Sequence, residues 1–353
     1  MFRKRNLKFN QAINESISQS MVKDKNRIIL GLGADDPLGI FGTTINLKEK
    51  FNKERVNDMP TSENSMMGFG IGLSLNKFKP IITHQRVEFS LLSIEQIINQ
   101  AAKWSYMSDG KSNVPIVIRL IIGKGWGQGP QHSQSLETLF AHIPGLKVVC
   151  PSNAYDAKGL MNASIKDPNP VIFFEHRWLH NTLSNVPKKS YTVEIGKSKR
   201  IQTGKDVTLV SSSYSVLETI EASRILKNNY NINADVIDLK TLRPLDEKPV
   251  INSMKKTKKL VVVDNGWMHY GISSEIISVA SEYFSKTNTK VKMDRLGVVD
   301  TPIPSTRFLA KYCYPTNELI INKVLKMLNI KKKYQVNKNI LTDVPNKNFT
   351  GPF

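Results

Sequence analysis

Apolar positions along the chain fall into two kinds of run. Short continuous stretches at 27–32 (RIILGL), 79–83 (KPIIT), 115–122 (PIVIRLII), 146–150 (LKVVC) and 171–175 (VIFFE) read as buried strands. Before and between them lie segments with apolar residues at helical spacing, over 7–21, 43–51, 66–75 and 154–165. One more helix is predicted to open at Ser93. There Ile94, Ile97, Ile98, Ala101 and Ala102 make an apolar face, and Ser93 with Gln96 has the form of a capping box. Continuous apolar strands alternating with helices predict an α/β fold, with a parallel sheet covered on both faces.

Residues 181–205 change character. They are polar, rich in Lys and Ser, and carry Pro187, which predicts an interdomain connection with a hairpin at 191–195. A second α/β unit follows, with strands at 207–211, 234–239, 260–264 and 291–296. Its helices are expected at 216–227, 247–254, 272–284 and 317–328. The organisation read from this pattern is an extension over 1–22, a first domain over 23–180, a linker over 181–205, a second domain over 206–330 and a polar tail over 331–353.

Composition changes this picture little. A chain of 353 residues with 40% hydrophobic and 23% charged residues has enough core for two domains. Its net charge of +20 raises nucleic acid as a partner. The lysines, however, are spread thinly, with short runs only at Arg3–Arg5, 255–259 and 331–333, and no nucleic-acid-binding motif accompanies them. The two cysteines, Cys150 and Cys313, suggest neither a disulfide framework nor a metal site, which favours a reducing, cytoplasmic setting. No apolar run approaches the ~18 residues of a membrane span. The basic start, MFRKRNLKFNQ, leaves a mitochondrial-type presequence open, although an ordinary helix over 7–21 fits it better.

Candidate chemistry gathers where open α/β sheets bind ligands, beyond the carboxyl ends of strands. The stretch RVNDMPTSENSMMGFGIG sets Pro60 just before a lone carboxylate, Glu63, and follows it with Gly68, Gly70 and Gly72 at alternate positions. Proline fixes the approach, and the glycines permit close packing. A carboxyl at the mouth of an apolar run is one whose pKa burial can raise; a helix-start or surface Glu is the plainer reading. Segments 33–36 and 85–89 lie at comparable strand ends. Before His132 come Gly123, Gly125, Gly127 and Gly129, a loop that lets a ligand approach. No P-loop, GxSxG, HExxH or dinucleotide fingerprint is present.

Glu63 and His132 sit in longer matches. RVNDMPTSE, IEQIINQAAKWSYMSDG, QHSQSLETLFAHIPGLKVVCPSNAYDAKGL, DPNPVIFFE, VIDLKTLRPLD, VVVDNGW and DTPIP occur in this order between Arg55 and Pro304. In them the chain resembles the beta subunit of the decarboxylating component of 2-oxoacid dehydrogenase complexes of the pyruvate type, a transketolase-like family. The resemblance implies a thiamine pyrimidine-binding parallel-sheet domain followed by a transketolase C-terminal-like α/β domain. It also implies thiamine diphosphate as cofactor. The residue at Glu63 would accept a hydrogen bond from a ring nitrogen of the aminopyrimidine and favour its imino tautomer. Phe89 matches the ring that stacks on the pyrimidine, and Gln85 a side chain lining the same pocket. His132 matches the active-site histidine that orients substrate or serves acyl transfer to lipoamide. Ile116, Ser164, Asp167 and Asn169 match positions whose backbone oxygens form a structural potassium site in some members.

The chain contains no Gly-Asp-Gly segment, the usual start of the element that holds magnesium and the diphosphate in thiamine enzymes. The resemblance then implies a separate alpha subunit carrying magnesium and the diphosphate half, in an assembly of two alpha and two beta chains. A lipoyl acyltransferase is a further implied partner. Departures from the family pattern are Ala34 where an acid is usual, Thr83 where a Glu is usual, and Arg86 where an aromatic is usual. The function expected is oxidative decarboxylation of a 2-oxoacid, pyruvate by default. One alternative is a split transketolase-like enzyme acting on sugars or aldehydes in a biosynthetic pathway. Another, of a different class, is a non-catalytic basic protein that binds nucleic acid.

Overall fold

The computed structural model describes residues 5–124 and 127–335. They form two compact units. One takes the described residues up to Gly123 together with Leu139–Ile195; the other takes Lys124–Thr138 together with the described residues from Gly196 onward. The loop that carries His132, expected inside the first domain, therefore groups with the second unit.

In the first unit, parallel strands run in the order Lys147–Val149, Val171–His176, Val117–Ile122, Lys79–His84, Arg27–Gly31 and Val56–Asp58. Every residue of Arg27–Gly31, Val117–Ile122 and Val171–His176 is buried. That is why these strands read as continuous apolar runs rather than alternating ones. The helix Phe9–Lys23 buries Phe9, Ala12, Ile13, Ile17 and Met21. The segment read as an extension is thus part of this unit's packing. Asn6–Lys8 also pairs antiparallel with Leu183–Asn185. The helix Ala154–Lys166 begins where the Asn153 side chain accepts the Asp156 amide at 2.9 Å, a cap of about 1 kcal/mol.

Three local expectations are corrected. The helix expected over 43–51 is confined to Leu47–Phe51, because Asn46 takes a left-handed φ of 61°. Upstream, the Thr43 and Thr44 hydroxyls bond the Ile40 backbone in a turn instead. Ser93 caps no helix: its hydroxyl donates to the Ser90 carbonyl at 3.0 Å, and it ends a tight 3-10 segment, Val87–Ser93. The widened turns of Gln96–Ala101 follow. The hairpin expected at 191–195 is also not formed. The Val193 amide donates to the Gly159 carbonyl at 3.0 Å, and Asn162 donates to the Tyr191 carbonyl at 2.8 Å. The segment therefore lies along the Ala154–Lys166 helix rather than pairing with itself. Only glycine fits at 159, since a Cβ there would meet Val193 at 2.3 Å.

The second unit has its own sheet, in the order Lys292–Val298, Lys259–Trp267, Val207–Ser211, Ala234–Asp238 and Lys199–Gln202. The first four are parallel and the last is antiparallel, so part of the expected linker is a sheet edge. Val207, Leu209, Val236, Val261 and Val263 pack against Ile320, Ile321, Val324 and Leu325 of the helix Asn317–Met327. Among the described residues no helix is long and apolar enough to cross a membrane. Most of the polar tail expected over 331–353 lies outside the described residues.

Candidate active site

In the first unit a small recess of about 10 Å³ opens beyond the carboxyl ends of the strands Arg27–Gly31 and Lys79–His84. It is lined by Leu32, Pro60, Glu63, Met66, Thr83, His84, Gln85 and Phe89. Glu63, Gln85 and Phe89 are therefore brought together. Glu63 is the first residue of the helix Glu63–Leu75, three residues earlier than the periodicity predicts. A carboxylate in a first turn is also favoured by the helix dipole. The approach to it is tied down: the Met59 amide donates to the Gly31 carbonyl at 3.3 Å, and Asp58 accepts the Gly33 amide at 2.5 Å.

The helix reaches the sheet through Gly70, where an added Cβ would lie 2.4 Å from Ile82 Cδ1. That close approach sets Glu63, two turns earlier, over the strand ends. Gln85 donates through Nε2 to the Leu32 carbonyl at 2.8 Å. Gly33 makes room for it, with a φ of +72° and a Cβ position 2.8 Å from that nitrogen. Phe89 is held in the Val87–Ser93 segment and is half-buried. Arg86 is also half-buried; burial lowers its pKa, and the Glu88 carboxylate works against that shift.

Behind the recess lies a polar network. Arg119 and Glu175, both fully buried, pair at 2.6 Å. Arg119 also donates to Thr83 Oγ1 at 3.1 Å and to Thr43 Oγ1 at 2.7 Å. Burial works against the Glu175 carboxylate, but Arg119 and His180 outweigh it and hold its pKa down. Thr83 is thus a partner of Arg119. A Glu there would bring a second carboxylate toward Glu175, so the threonine is suited to this network.

His132 closes a short helical turn, Gly129–His132, in the second unit. Its loop is fixed through glycines. Gly129 has φ +74° and would meet Ser305 Oγ at 2.8 Å, while Gly266 would meet the Ser135 carbonyl at 2.9 Å. Two buried ionisable groups flank the loop. Glu137 is pushed up to about 8 by burial and by the nearby Asp264 charge. Lys124 is pushed down to about 8 by burial, against the pull of Glu218, with its ammonium 4.8 Å from the Tyr214 ring and 5.0 Å from the Tyr314 ring. Gly125 and Trp126 of the same loop lie outside the described residues.

Comparison with known proteins fixes the family. The profile of the transketolase pyrimidine-binding domain matches residues 5–181, and that of the transketolase C-terminal domain matches 196–320. The chain is 38% identical to the acetoin:2,6-dichlorophenolindophenol oxidoreductase subunit beta of Cupriavidus necator, over 88% of this chain and 94% of that protein. It is 34% identical to the pyruvate dehydrogenase E1 component subunit beta of Rickettsia felis, over 90% of this chain and 97% of that protein. It is 35% identical to the mitochondrial pyruvate dehydrogenase E1 subunit beta-1 of Oryza sativa, over 88% and 84% of the two chains. The chain belongs to this family of transketolase-like beta subunits. A solved structure described as a split gene transketolase, an inactive beta4 tetramer, superposes with a TM-score of 0.74 at 20% identity. It covers 92% of this chain and 99% of its own, which shows the two-domain fold.

Within this transketolase-like beta subunit Ile116, Ser164, Asp167 and Asn169, the residues expected to form a potassium site, lie apart from the recess, toward the amino-terminal ends of the strands Val117–Ile122 and Val171–His176. The Ile116 carbonyl accepts the Val171 amide at 3.0 Å, and the Ser164 carbonyl accepts the Asp167 amide at 3.2 Å. Asp167 accepts the Asn169 amide at 3.0 Å and also pairs with Lys147. Among the described residues no group of three His, Cys, Asp or Glu could hold a metal ion. Sequence reasoning did not find Arg119, Glu175 or His84. Arg119 and Glu175 sit inside apolar strand runs, where a single charged residue facing the same way on neighbouring strands was the available signal.

Proposed function

We propose that this chain is the beta subunit of a thiamine diphosphate-dependent 2-oxoacid dehydrogenase, acting on pyruvate and passing the acyl group to lipoamide with an alpha subunit. The observation that carries this reading is the recess. It sets one carboxylate, one aromatic ring and one amide at adjoining strand ends, in a chain that matches both transketolase domains but has no Gly-Asp-Gly element. The residues suit an aminopyrimidine: Phe89 offers a face for stacking, and Glu63 a carboxyl acceptor for a ring nitrogen. When bound, thiamine diphosphate would supply the electron sink. Glu63 would hold the proton at the ring nitrogen, Gln85 would fix the heterocycle's edge, and the apolar Leu32, Pro60 and Met66 would keep water away. His132 would orient the substrate and serve transfer to the lipoyl group.

Magnesium and the diphosphate belong, on this reading, to the alpha subunit, in a two-alpha two-beta assembly with paired beta chains. A potassium ion would use the remaining lone pairs of the Ile116, Ser164, Asp167 and Asn169 backbone oxygens. A lipoyl acyltransferase is the expected acceptor partner, and the setting is cytoplasmic or, as for some relatives, mitochondrial.

The 38% identity to an acetoin oxidoreductase beta subunit favours one second reading, cleavage of acetoin in place of pyruvate. The deciding assay uses the chain assembled with its alpha subunit. Pyruvate with a lipoyl domain should give acylation, and His132→Ala should depress that far more than decarboxylation read with a dye acceptor. Turnover of acetoin but not pyruvate would move the assignment to the second reading. Turnover only of sugar phosphates would overturn both.

A further inference from the structure

His84 is a histidine that the reading above leaves without a task. It ends the strand Lys79–His84, is only 2% exposed and lines the same recess as Glu63. Neither ring nitrogen has a partner among the described residues. A buried imidazole with both nitrogens unsatisfied is costly, because each polar group left unpaired has lost its water without a replacement. Burial also pushes its pKa down to about 4, so the ring is neutral near pH 7, with one N–H donor and one acceptor.

The direction in which the ring faces follows from the strand. Thr83 turns toward Arg119 on one face, and Ile82 turns toward Gly70 of the Glu63–Leu75 helix on the other. Side chains alternate along a strand, so His84 shares the face of Ile82. In this parallel sheet the connecting helix runs opposite to the strands, so two residues onward from Ile82, about 6.6 Å, leads back along the helix from Gly70 by about one turn, about 5.4 Å. That is the level of Met66 and Met67. Glu63 lies one turn further on the same helix face. His84 and Glu63 thus border the recess from two elements whose spacing is fixed by the Gly70–Ile82 contact.

We propose that His84 is a positioning residue for Glu63, its imidazole hydrogen-bonded through one water to the Glu63 carboxyl across the recess. The pair would fix the rotamer of the carboxyl and the side from which it meets the aminopyrimidine. The recess, at about 10 Å³, has room for one such water. This inference rests on the thiamine reading for its purpose, but the His84–Glu63 pairing itself is testable without any cofactor.

The test is histidine-selective isotope labelling of the full chain, alone and with its alpha partner, with the ring signals followed by NMR. The His84 signal is assigned by its loss in His84→Gln. Glu63→Gln and Glu63→Ala should each shift that signal and change its tautomer balance before any thiamine diphosphate is added. A signal unmoved by both substitutions overturns the pairing, as does one that moves only when thiamine diphosphate is added. Both Glu63 variants keep His84, so this result does not depend on a His84 variant that folds. In the assembled enzyme, His84→Phe should weaken thiamine diphosphate binding about tenfold, the loss of one hydrogen bond, and His84→Gln should restore most of it. Equal losses in the two variants would mark His84 as packing only and overturn the proposal. Failure of the wild-type assembly to bind thiamine diphosphate would instead count against the proposed function, leaving the His84–Glu63 result standing.

Discussion

Glu63 and its neighbours form the proposed half-site from a few atoms. The carboxyl stands at a helix start, between a proline that fixes the approach and a glycine-bearing helix that sits low on the sheet. Its assigned work is to hold a proton at a ring nitrogen, which a neutral amide does poorly. Glu63→Gln should therefore slow exchange of the thiazolium proton in the assembled enzyme by about 10² or more, while thiamine diphosphate affinity falls less. Hydrogen–deuterium exchange followed by NMR measures the first and calorimetry the second. An exchange rate equal to wild type would remove Glu63 from this role. Most of this residue-level site was legible. Glu63 was found from the motif it sits in, Gln85 and Phe89 from the family resemblance, and the three line one recess. Arg119, Glu175 and His84 were not, because burial and partner geometry are properties of neighbouring strands that one strand's sequence does not show.

Among the elements, the helix Glu63–Leu75 and the loop bearing His132 carry the consequences. The helix packs at Gly70 against Ile82, with an added methyl 2.4 Å from Ile82 Cδ1. Gly70→Ala should cost about 1–3 kcal/mol in urea unfolding, as overpacking does, and weaken cofactor binding by shifting Glu63. Ile82→Val removes the Cδ1 atom in question. The double variant Gly70→Ala, Ile82→Val should recover part of both losses, and an additive double variant would refute this contact as the cause.

In the His132 loop, Glu137 keeps its proton up to about pH 8, above its ordinary value near 4.5, because of burial and the Asp264 charge. Between those pH values the folded chain binds a proton that the unfolded chain has released. The contribution of Glu137 to stability is therefore complete below about pH 4.5 and is lost as pH rises to about 8, by on the order of a few kcal/mol. Glu137→Gln, which cannot ionise, should flatten that decline in denaturant titrations at pH 5, 7 and 9. The strands and long helices behind these elements were legible from periodicity. The missed elements were a left-handed break at Asn46, a 3-10 segment ending at Ser93 and a strap over 191–195, all decided by contacts with other segments.

At the scale of the whole molecule, the chain carries both transketolase domains and, on the proposed reading, the pyrimidine half of a thiamine site. On its own it should bind thiamine diphosphate with magnesium weakly or not at all, and adding the alpha subunit should bring tight binding. Calorimetry on the chain alone and on the assembly checks this; tight binding by the isolated chain would sink the split-site reading.

The net charge of +20 plays no part in that expectation, since the basic residues are spread thinly along the chain. By itself the sequence determined the two-domain α/β fold and the family, and it pointed to Glu63, Gln85 and Phe89, which line one recess. Buried parallel strands leave continuous apolar runs, and those runs can be read along the chain without knowing what packs on them. Only the tertiary structure decided that Thr83 serves the Arg119–Glu175 pair and that His84 lines the recess with both nitrogens unpartnered among the described residues. The same holds for residues 124–138, which group with the second unit. Each of these depends on which face of a strand, or which neighbouring segment, a residue meets, and that is set by packing between elements far apart in the chain.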